Sequence, residues 1–138
     1  MSQENVERAR QAYEALGLAV RSGDFDAFFR EYVHPEVEWV PLGRGPDAGL
    51  SSGEGPVKAR LIEMLQVVDE PQIEAEEIID AGEKVVVAIR ISGRGVASGI
   101  DIEEASWFHV LTPRGDKVVR IEWHGSRKEA LEAAGLSE

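Results

Sequence analysis

The fold of this chain is decided by two neighbouring segments, Ala105-Ser106-Trp107-Phe108-His109-Val110-Leu111 and Val118-Val119-Arg120-Ile121-Glu122-Trp123. Residues in each segment alternate between two faces, as they do in a strand, and one face carries two tryptophans and a histidine. The intervening Pro113-Arg114-Gly115-Asp116 is typical of a tight hairpin, so we expect adjacent antiparallel strands. With Arg114 to Asp116 as the loop, Trp107 is predicted to face Trp123, and His109 to face Ile121. Aromatic rings around one imidazole indicate a ligand cavity.

Length and composition predict one domain over residues 1–138, because 43% hydrophobic residues are enough for one core. The net charge of -11 repels phosphate groups, so we expect neither a nucleic-acid partner nor membrane binding. The sequence has no cysteine, which excludes disulfides, a thiolate nucleophile and Cys-ligated zinc. No apolar run approaches the roughly 20 residues of a membrane span. Met1-Ser2-Gln3-Glu4-Asn5 lacks signal-peptide features, and a cytoplasmic protein is expected.

Three helices are predicted in the first half. The first begins at Ser2, and its apolar stripe consists of Val6, Ala9, Tyr13, Leu16 and Val20. Asp24 is the predicted cap of a second, aromatic-faced helix that ends at His34-Pro35. A short strand at Val37-Glu38-Trp39-Val40 and a glycine-rich loop from Gly43 to Gly55 follow. The third helix has Pro56 in its first turn and is lined by Val57, Leu61, Met64, Leu65 and Val68.

From Gln72 onward the apolar pattern changes to strict alternation, which predicts a four-stranded meander. Its strands are Ile73 to Ile79, Val85 to Ile91, Ile100 to Thr112 and Val118 to His124. A change of phase near Glu103-Glu104 predicts a bulge that bends the sheet. A short helix, Ser126 to Ala134, follows, and the acidic segment Glu129 to Glu138 is interpreted as a solvated face or a lid. Helices followed by a curved antiparallel sheet give an α+β fold.

These residues resemble, over almost the whole chain, the SnoaL-like proteins of the nuclear transport factor 2-like superfamily. The resemblance rests on short motifs in that group's usual order. They include Ala12-Tyr13-Glu14-Ala15, Ser22-Gly23-Asp24-Phe25-Asp26-Ala27, His34-Pro35-Glu36-Val37-Glu38-Trp39, Gly53-Glu54-Gly55-Pro56-Val57, Ile78-Ile79-Asp80-Ala81-Gly82, Phe108-His109-Val110 and Lys117-Val118-Val119-Arg120. The match is specific for fold and not for function, because this fold hosts isomerases, cyclases, hydrolases, dehydratases and binding modules.

The resemblance implies a cone, in which a curved antiparallel β-sheet packs against the N-terminal α-helices and encloses an apolar pocket. The residues then expected to line the pocket are Val85, Val87, Ile89, Ile91, Trp107, His109, Leu111, Val119, Ile121 and Trp123. The opposite face would carry Val86, Ala88, Arg90, Phe108, Val110, Arg120, Glu122 and His124. Related proteins often dimerise through this face, so we expect a homodimer through the outer sheet face.

The same resemblance argues against two known chemistries. In the steroid isomerases of the superfamily, Val40 or Trp39 falls where the carboxylate base would be and His109 falls at the second acid, while Tyr13 is offset by about one helical turn. Isomerase chemistry of that type is therefore not expected. In the polyketide cyclases, His109 matches the cavity histidine, but Trp123 occupies the place of its acid partner.

His109 is the predicted catalytic residue, because an imidazole with an ordinary pKa near 6.5 exchanges protons at neutral pH. The alternative is a neutral histidine that is hydrogen-bonded in the cavity or orients a ligand. Glu38 is the nearest candidate carboxylate, although strand alternation turns it toward solvent. The predicted substrate-binding residues are Tyr13, Trp39, Trp107, Ile121 and Trp123. The tryptophans would stack on a flat ligand or pack in the core, and the Tyr13 hydroxyl would donate to the ligand or the ring would simply pack.

No metal site and no cofactor are expected. His34, His109 and His124 lie on separate predicted elements, and the spacing of Gly43, Gly45 and Gly49 does not fit a dinucleotide loop. We interpret these glycines as part of a mobile flap at the cavity mouth.

Three hypotheses for the function remain open. The first is a cofactor-free isomerase, cyclase or lyase that transfers a proton through His109. The second is a non-catalytic protein that binds a small, largely apolar cyclic molecule. The third is a dimeric protein-interaction module whose cavity is filled by its own side chains.

Overall fold

Four helices and six strands make up the part of the chain that the computed structural model describes, residues 2–41, 50–66, 68–95 and 101–136. In chain order they are α1 (Ser2–Ser22), α2 (Asp26–Tyr32), β1 (Val33–Val40), β2 (Ser51–Ser52), α3 (Glu54–Leu65), β3 (Val68–Asp80), β4 (Val85–Gly95), β5 (Asp101–Arg114), β6 (Lys117–His124) and α4 (Arg127–Ala133). The proposed flap falls mainly within residues 42–49, which lie outside the described residues.

The strands form one open sheet in the order β2-β1-β6-β5-β4-β3. The predicted meander is confirmed, since β3 to β6 pair antiparallel in succession. The α+β fold is also confirmed, with one addition: β1 runs parallel to β6, so the sheet is mixed. β2, which the sequence analysis places in a loop, pairs antiparallel with β1 through Ser51 and Ser52.

Two element boundaries differ from prediction. The second helix ends at Tyr32 and the chain is extended from Val33, so β1 starts four residues before the predicted Val37. Pro35 therefore lies within a strand, at an irregular stretch of the β1–β6 pairing where a missing N–H is tolerated. The prediction that Val68 lines the third helix is wrong, because α3 ends at Leu65 and Val68 begins β3.

The predicted bulge in β5 is confirmed by the pairing with β4. Ile91 pairs with Ala105 and Gly93 with Ile102, so Glu103 and Glu104 together oppose one residue of β4. An extra residue on one strand bends it and increases its twist. This bend ends three residues before Trp107, just ahead of the segment that carries the histidine.

The predicted register of the β5–β6 hairpin is wrong by two residues. His109 pairs with Trp123 and Leu111 with Ile121. One residue of the shift comes from the turn, because Arg114 pairs with Lys117 and leaves a two-residue loop. The other comes from an irregularity between Thr112 and Pro113, where β6 has one extra residue; Pro113 has no N–H to give to the ladder.

Side chains of a strand alternate between faces, so a shift of two residues leaves each on its predicted face. In the part of β6 that follows the irregularity, Ile121 and Trp123 therefore still face the main core. Between the turn and the irregularity the register differs from the predicted one by one residue, so side chains there lie on the opposite face from the predicted one. Val118, rather than the predicted Val119, packs against this core.

The main core lies between the inner sheet face and the first three helices. Ala9, Tyr13 and Leu16 of α1 are buried there, as are Phe29 of α2 and Val57 of α3. The helices that were predicted from apolar periodicity thus cover the inner face of the sheet.

α4 packs on the opposite, outer face, where Ala130 and Leu131 join the fully buried Val86 and Val110 in a second small core. The interpretation of the closing segment as a lid is therefore wrong, whereas Glu129 and Glu132 are exposed and give this helix the expected solvated face. Ser126 caps the helix, since its hydroxyl accepts a hydrogen bond from the backbone N–H of Glu129 at 3.1 Å. Only part of the predicted outer face remains uncovered by α4.

Candidate ligand cavity

A small cavity lies in the main core, between the inner face of β1, β5 and β6 and the three N-terminal helices. Its volume is about 60 Å³. Aromatic rings make up much of its wall: Tyr13, Phe28, Phe29, Tyr32, Trp39 and Trp123. Aliphatic side chains of α1, α3 and the sheet complete it, so the cavity is apolar apart from a few ring nitrogens and hydroxyls.

The structure brings five of the six predicted site residues to this cavity. Tyr13, Trp39, His109, Ile121 and Trp123 all line it. Trp107 does not line it in the described structure. It is half-buried and packs edge-to-face on Trp123, with ring centroids 6.4 Å apart, because the observed register places His109 rather than Trp107 opposite Trp123.

His109 is held by a tyrosine from the opposite layer. The Tyr13 hydroxyl lies 2.5 Å from His109 Nδ1, a buried hydrogen bond that joins α1 to β5. The sequence predicts that Tyr13 and His109 each face inward. It does not predict the bond between them, because the bond depends on where along β5 the helix α1 packs. The partner of His109 is therefore a tyrosine and not a carboxylate.

Burial keeps both groups neutral at pH 7. It lowers the pKa of His109 to about 3, with a smaller contribution from repulsion by His124, because the low-dielectric interior disfavours the imidazolium ion. Burial also raises the pKa of the Tyr13 hydroxyl well above its ordinary range, because it disfavours the phenolate. The cavity therefore contains a neutral imidazole and a neutral phenol.

The tryptophans form a connected aromatic cluster. The rings of Trp39 and Trp123 lie 5.4 Å apart and are inclined by 32°, and His109 packs on Trp123 at 4.1 Å and 77°. Edge-to-face contacts of this kind fix ring orientation as well as bury area. Trp123 is thus the centre of the cluster and the nearest aromatic neighbour of the imidazole.

Two buried nitrogen atoms at this cluster have no hydrogen-bond partner among the described residues, His109 Nε2 and Trp123 Nε1. Buried polar groups are nearly always hydrogen-bonded, and leaving one unpaired is unfavourable. Both atoms belong to residues that line the cavity. They are therefore the groups through which the cavity can bind a polar atom.

Glu38 lies outside the cavity, as strand alternation predicts. Its carboxylate accepts a hydrogen bond of 2.7 Å from Arg120, the neighbouring residue on β6, and the side chain is 40% exposed. No carboxylate lines the cavity among the described residues. Within the same set, no three His, Asp or Glu side chains come together as a metal-binding group.

Several cavity residues were not predicted as ligand contacts. Phe28, Tyr32 and Met64 line the cavity from the helical side, and Val118 lines it from β6. The aromatic face of the second helix was visible in the sequence, but its angle to the sheet was not. Val118 replaces Val119 because of the irregularity opposite Pro113.

One wall of the cavity borders an open groove. Tyr13 and Ile73 line both the cavity and a groove of about 650 Å³ between α1 and β3. Half of the residues that line the groove are charged, including Arg10, Arg21 and Glu74. Tyr13 and Ile73 thus separate the small apolar cavity from the larger, partly charged groove.

None of the described helices is long and apolar enough to cross a membrane. A search of curated proteins found no match. Solved structures do match. A protein described as a SnoaL-like polyketide cyclase from Jannaschia sp. CCS1 shares 17% identity at a TM-score of 0.74, over 88% of this chain and 85% of that chain.

Two further structures are similar over more of the chain. A nuclear transport factor 2-like protein from Anabaena variabilis has 17% identity and a TM-score of 0.73, over 91% of this chain and 92% of its own. TerC, co-crystallised with polyporic acid, has 24% identity and a TM-score of 0.69, over 96% and 98%. At these identities the similarities show the fold alone.

The family follows from the sequence itself. Residues 9–121 match the SnoaL-like domain, which is most of the chain and includes most of α1, Trp39, Trp107 and His109, but ends two residues before Trp123. The resemblance found in the short motifs, the open α+β architecture and the family match agree. The chain therefore belongs to the SnoaL-like domain family, within the nuclear transport factor 2-like fold.

Proposed function

We propose that this protein binds a small, largely apolar cyclic molecule in its aromatic cavity, with His109 as the main polar contact. The observation that carries the proposal is the unpartnered His109 Nε2, a buried polar atom of a residue that lines an otherwise apolar cavity. Few polar groups in an apolar pocket are typical of small-molecule sites, where they orient the ligand.

The cavity volume limits the size of the ligand. Pockets for drug-sized molecules have volumes of about 300–1,000 Å³, whereas this cavity has about 60 Å³. An apolar cavity that holds benzene has about 150 Å³, so a single small ring is the largest expected occupant, and wall side chains must move to admit it. A larger ligand would need Tyr13 or Ile73 to move, which would join the cavity to the groove between α1 and β3.

The aromatic cluster supports a ring-shaped ligand. Trp39 and Trp123 offer ring faces and edges to the cavity, and flat apolar molecules stack on such surfaces. TerC, which shares this fold, was co-crystallised with polyporic acid, so the fold is compatible with binding an organic molecule.

Native mass spectrometry of the freshly purified protein tests this proposal. We expect a bound small molecule, or complexes with cyclic ketones, lactones or phenols when these are added. The complexes should be lost in Ile121→Phe, which adds volume inside the cavity. They should persist in Leu18→Phe, which changes an exposed side chain on α1. Equal loading of both variants would contradict binding in the cavity.

A second candidate function is proton transfer, favoured by the buried hydrogen bond between Tyr13 and His109. Because the imidazole has a pKa of about 3, it would act as a base only on an already acidic substrate. The expected result is that His109→Gln abolishes turnover of a bound ligand while its affinity survives, as measured by mass spectrometry of products. Wild-type turnover in that variant would exclude His109 as the proton carrier.

A further inference from the structure

We propose that Tyr13 is a positioning residue that holds His109 with its proton on Nε2, so that the cavity selects ligands carrying a hydrogen-bond-accepting oxygen. The part of this inference that concerns ligand choice rests on the proposed function of the cavity. The part that concerns Tyr13 rests on the buried hydrogen bond alone.

The first step is the direction of the hydrogen bond between Tyr13 and His109. A neutral imidazole has one protonated and one bare ring nitrogen. If Nδ1 were protonated, it would donate to the Tyr13 oxygen, and the buried hydroxyl proton would then need another acceptor. His109 Nδ1 is the one hydrogen-bond partner of the Tyr13 hydroxyl among the described residues. The hydroxyl therefore donates to a bare Nδ1, and the imidazole proton lies on Nε2.

The second step concerns the chemistry of the two unpartnered nitrogens. With this tautomer His109 Nε2 is an N–H donor, and the indole Nε1 of Trp123 is always a donor. Their rings pack together with centroids 4.1 Å apart, and both residues line the cavity. No carboxylate, amide or threonine from the described residues lines the cavity to accept from a ligand. The two unpartnered nitrogens can therefore only donate to a ligand, whereas the hydroxyl oxygens of Tyr13 and Tyr32, which also line the cavity, can accept.

The two unpartnered N–H donors indicate the ligand class. A cyclic ketone or lactone presents a carbonyl oxygen that accepts from one or both N–H groups while its ring fills the apolar space. The same ring without an accepting oxygen would leave both donors unpaired. We therefore expect selection for a carbonyl on a small apolar ring.

Two-bond ¹H–¹⁵N correlation spectra test the role of Tyr13 without any ligand, since they distinguish protonated from bare ring nitrogens. In the wild type at pH 7 we expect a protonated Nε2 and a bare Nδ1 for His109. In Tyr13→Phe the bond is lost, and the tautomer should shift toward a bare Nε2. Tyr32→Phe, the matched control, removes another cavity-lining hydroxyl that does not contact His109 and should leave the spectrum unchanged.

A bare Nε2 in the wild type would overturn the proposal. So would an unchanged His109 spectrum in Tyr13→Phe, because the tyrosine would then not determine the tautomer.

Ligand selection is tested with two probes of nearly the same shape, cyclohexanone and methylenecyclohexane, titrated against tryptophan fluorescence. We expect cyclohexanone to bind about tenfold more tightly to the wild type and to Leu18→Phe, whose changed side chain is exposed and lies outside the cavity lining, as one or two hydrogen bonds allow. In Tyr13→Phe the preference should fall to about threefold or less. Equal binding of both probes to the wild type would overturn the selection. If neither probe binds, the ligand part fails together with the proposed function, and the NMR spectra still decide the role of Tyr13.

Discussion

At His109, burial and a hydrogen bond from Tyr13 together produce an imidazole that is neutral at pH 7. Its only unsatisfied atom, among the described contacts, is the buried Nε2, and the cavity that His109 lines carries no compensating charge. Keeping such a group neutral is what allows it to be buried at all. The residue is therefore better suited to orient a ligand than to carry a full positive charge.

This environment predicts a specific loss of stability on acidification. The pKa of His109 falls from 6.5 in the unfolded chain to about 3 in the folded one, so the unfolded state binds the proton first as pH falls. His109 thus contributes stability above pH 6.5 that is lost progressively toward pH 3. Between pH 7 and pH 5 the loss should be about 2 kcal/mol in the free energy of unfolding.

Urea unfolding at pH 7 and pH 5 measures this loss, with His109→Gln as the reference. The variant lacks the imidazole but keeps the other titratable groups, so it should lose about 2 kcal/mol less than the wild type over this interval. The same loss in both proteins would show that His109 is not held neutral by burial.

The sequence predicted five of the ligand contacts in the cavity wall, because strand alternation and helix periodicity reveal which side chains face inward. Tyr13, Trp39, His109, Ile121 and Trp123 were all placed correctly on inward faces. What it could not predict is which inward side chains touch, since that depends on packing between separate elements. The bond between Tyr13 and His109 is the clearest example.

At the level of elements, two irregularities determine the shape of the β5–β6 hairpin. The bulge at Glu103-Glu104 was visible as a change of phase in the apolar pattern. The irregularity between Thr112 and Pro113 was not, because the residues on both sides of it are apolar or mixed in character. The turn and this irregularity each shift the register by one residue, so His109 rather than Trp107 is the partner of Trp123.

α4 illustrates a different limit of prediction. Its acidic composition suggested a solvated segment, but Ala130 and Leu131 are buried against β4 and β5. In a helix this short, two or three buried residues are enough to attach it to the sheet. The charge of the remaining positions then says little about whether it is packed.

Removal of one buried side chain should therefore destabilise the whole fold. We expect Leu131→Ala to lower the free energy of unfolding by about 2–4 kcal/mol, because a buried leucine is replaced by a partial cavity. Glu132→Ala, at the adjacent exposed position of the same helix, should change it by less than about 0.5 kcal/mol. Urea unfolding of the two variants measures both values, and equal effects would contradict the packing of α4 on the sheet.

At the scale of the molecule, α4 divides the outer sheet face. It covers Val86 and Val110, while Ala88, Phe108 and His124 are only partly buried. Glu122 lies within 4 Å of Lys84, Arg120 and His124 on the same face. A mixed apolar and charged surface of this kind supports the proposed homodimer through the outer sheet face.

Sedimentation equilibrium tests this proposed dimer. We expect the mass of two chains for the wild type at micromolar concentration. Ala88→Arg, which places a charge on the partly buried outer face, should shift the protein toward the monomer. Glu132→Arg, on the exposed side of α4, should not. A monomeric wild type, or equal masses for both variants, would contradict association through this face.

The central claim is that the aromatic cavity is the ligand site, and a fluorescence titration with cyclohexanone tests it most directly. All three tryptophans of the chain belong to the cluster around Trp123, so their emission reports on the cavity. The account predicts a saturable change in the wild type and in Leu18→Phe that is lost in folded Ile121→Phe. A response that rises linearly without saturation, or is the same in Ile121→Phe, would contradict it.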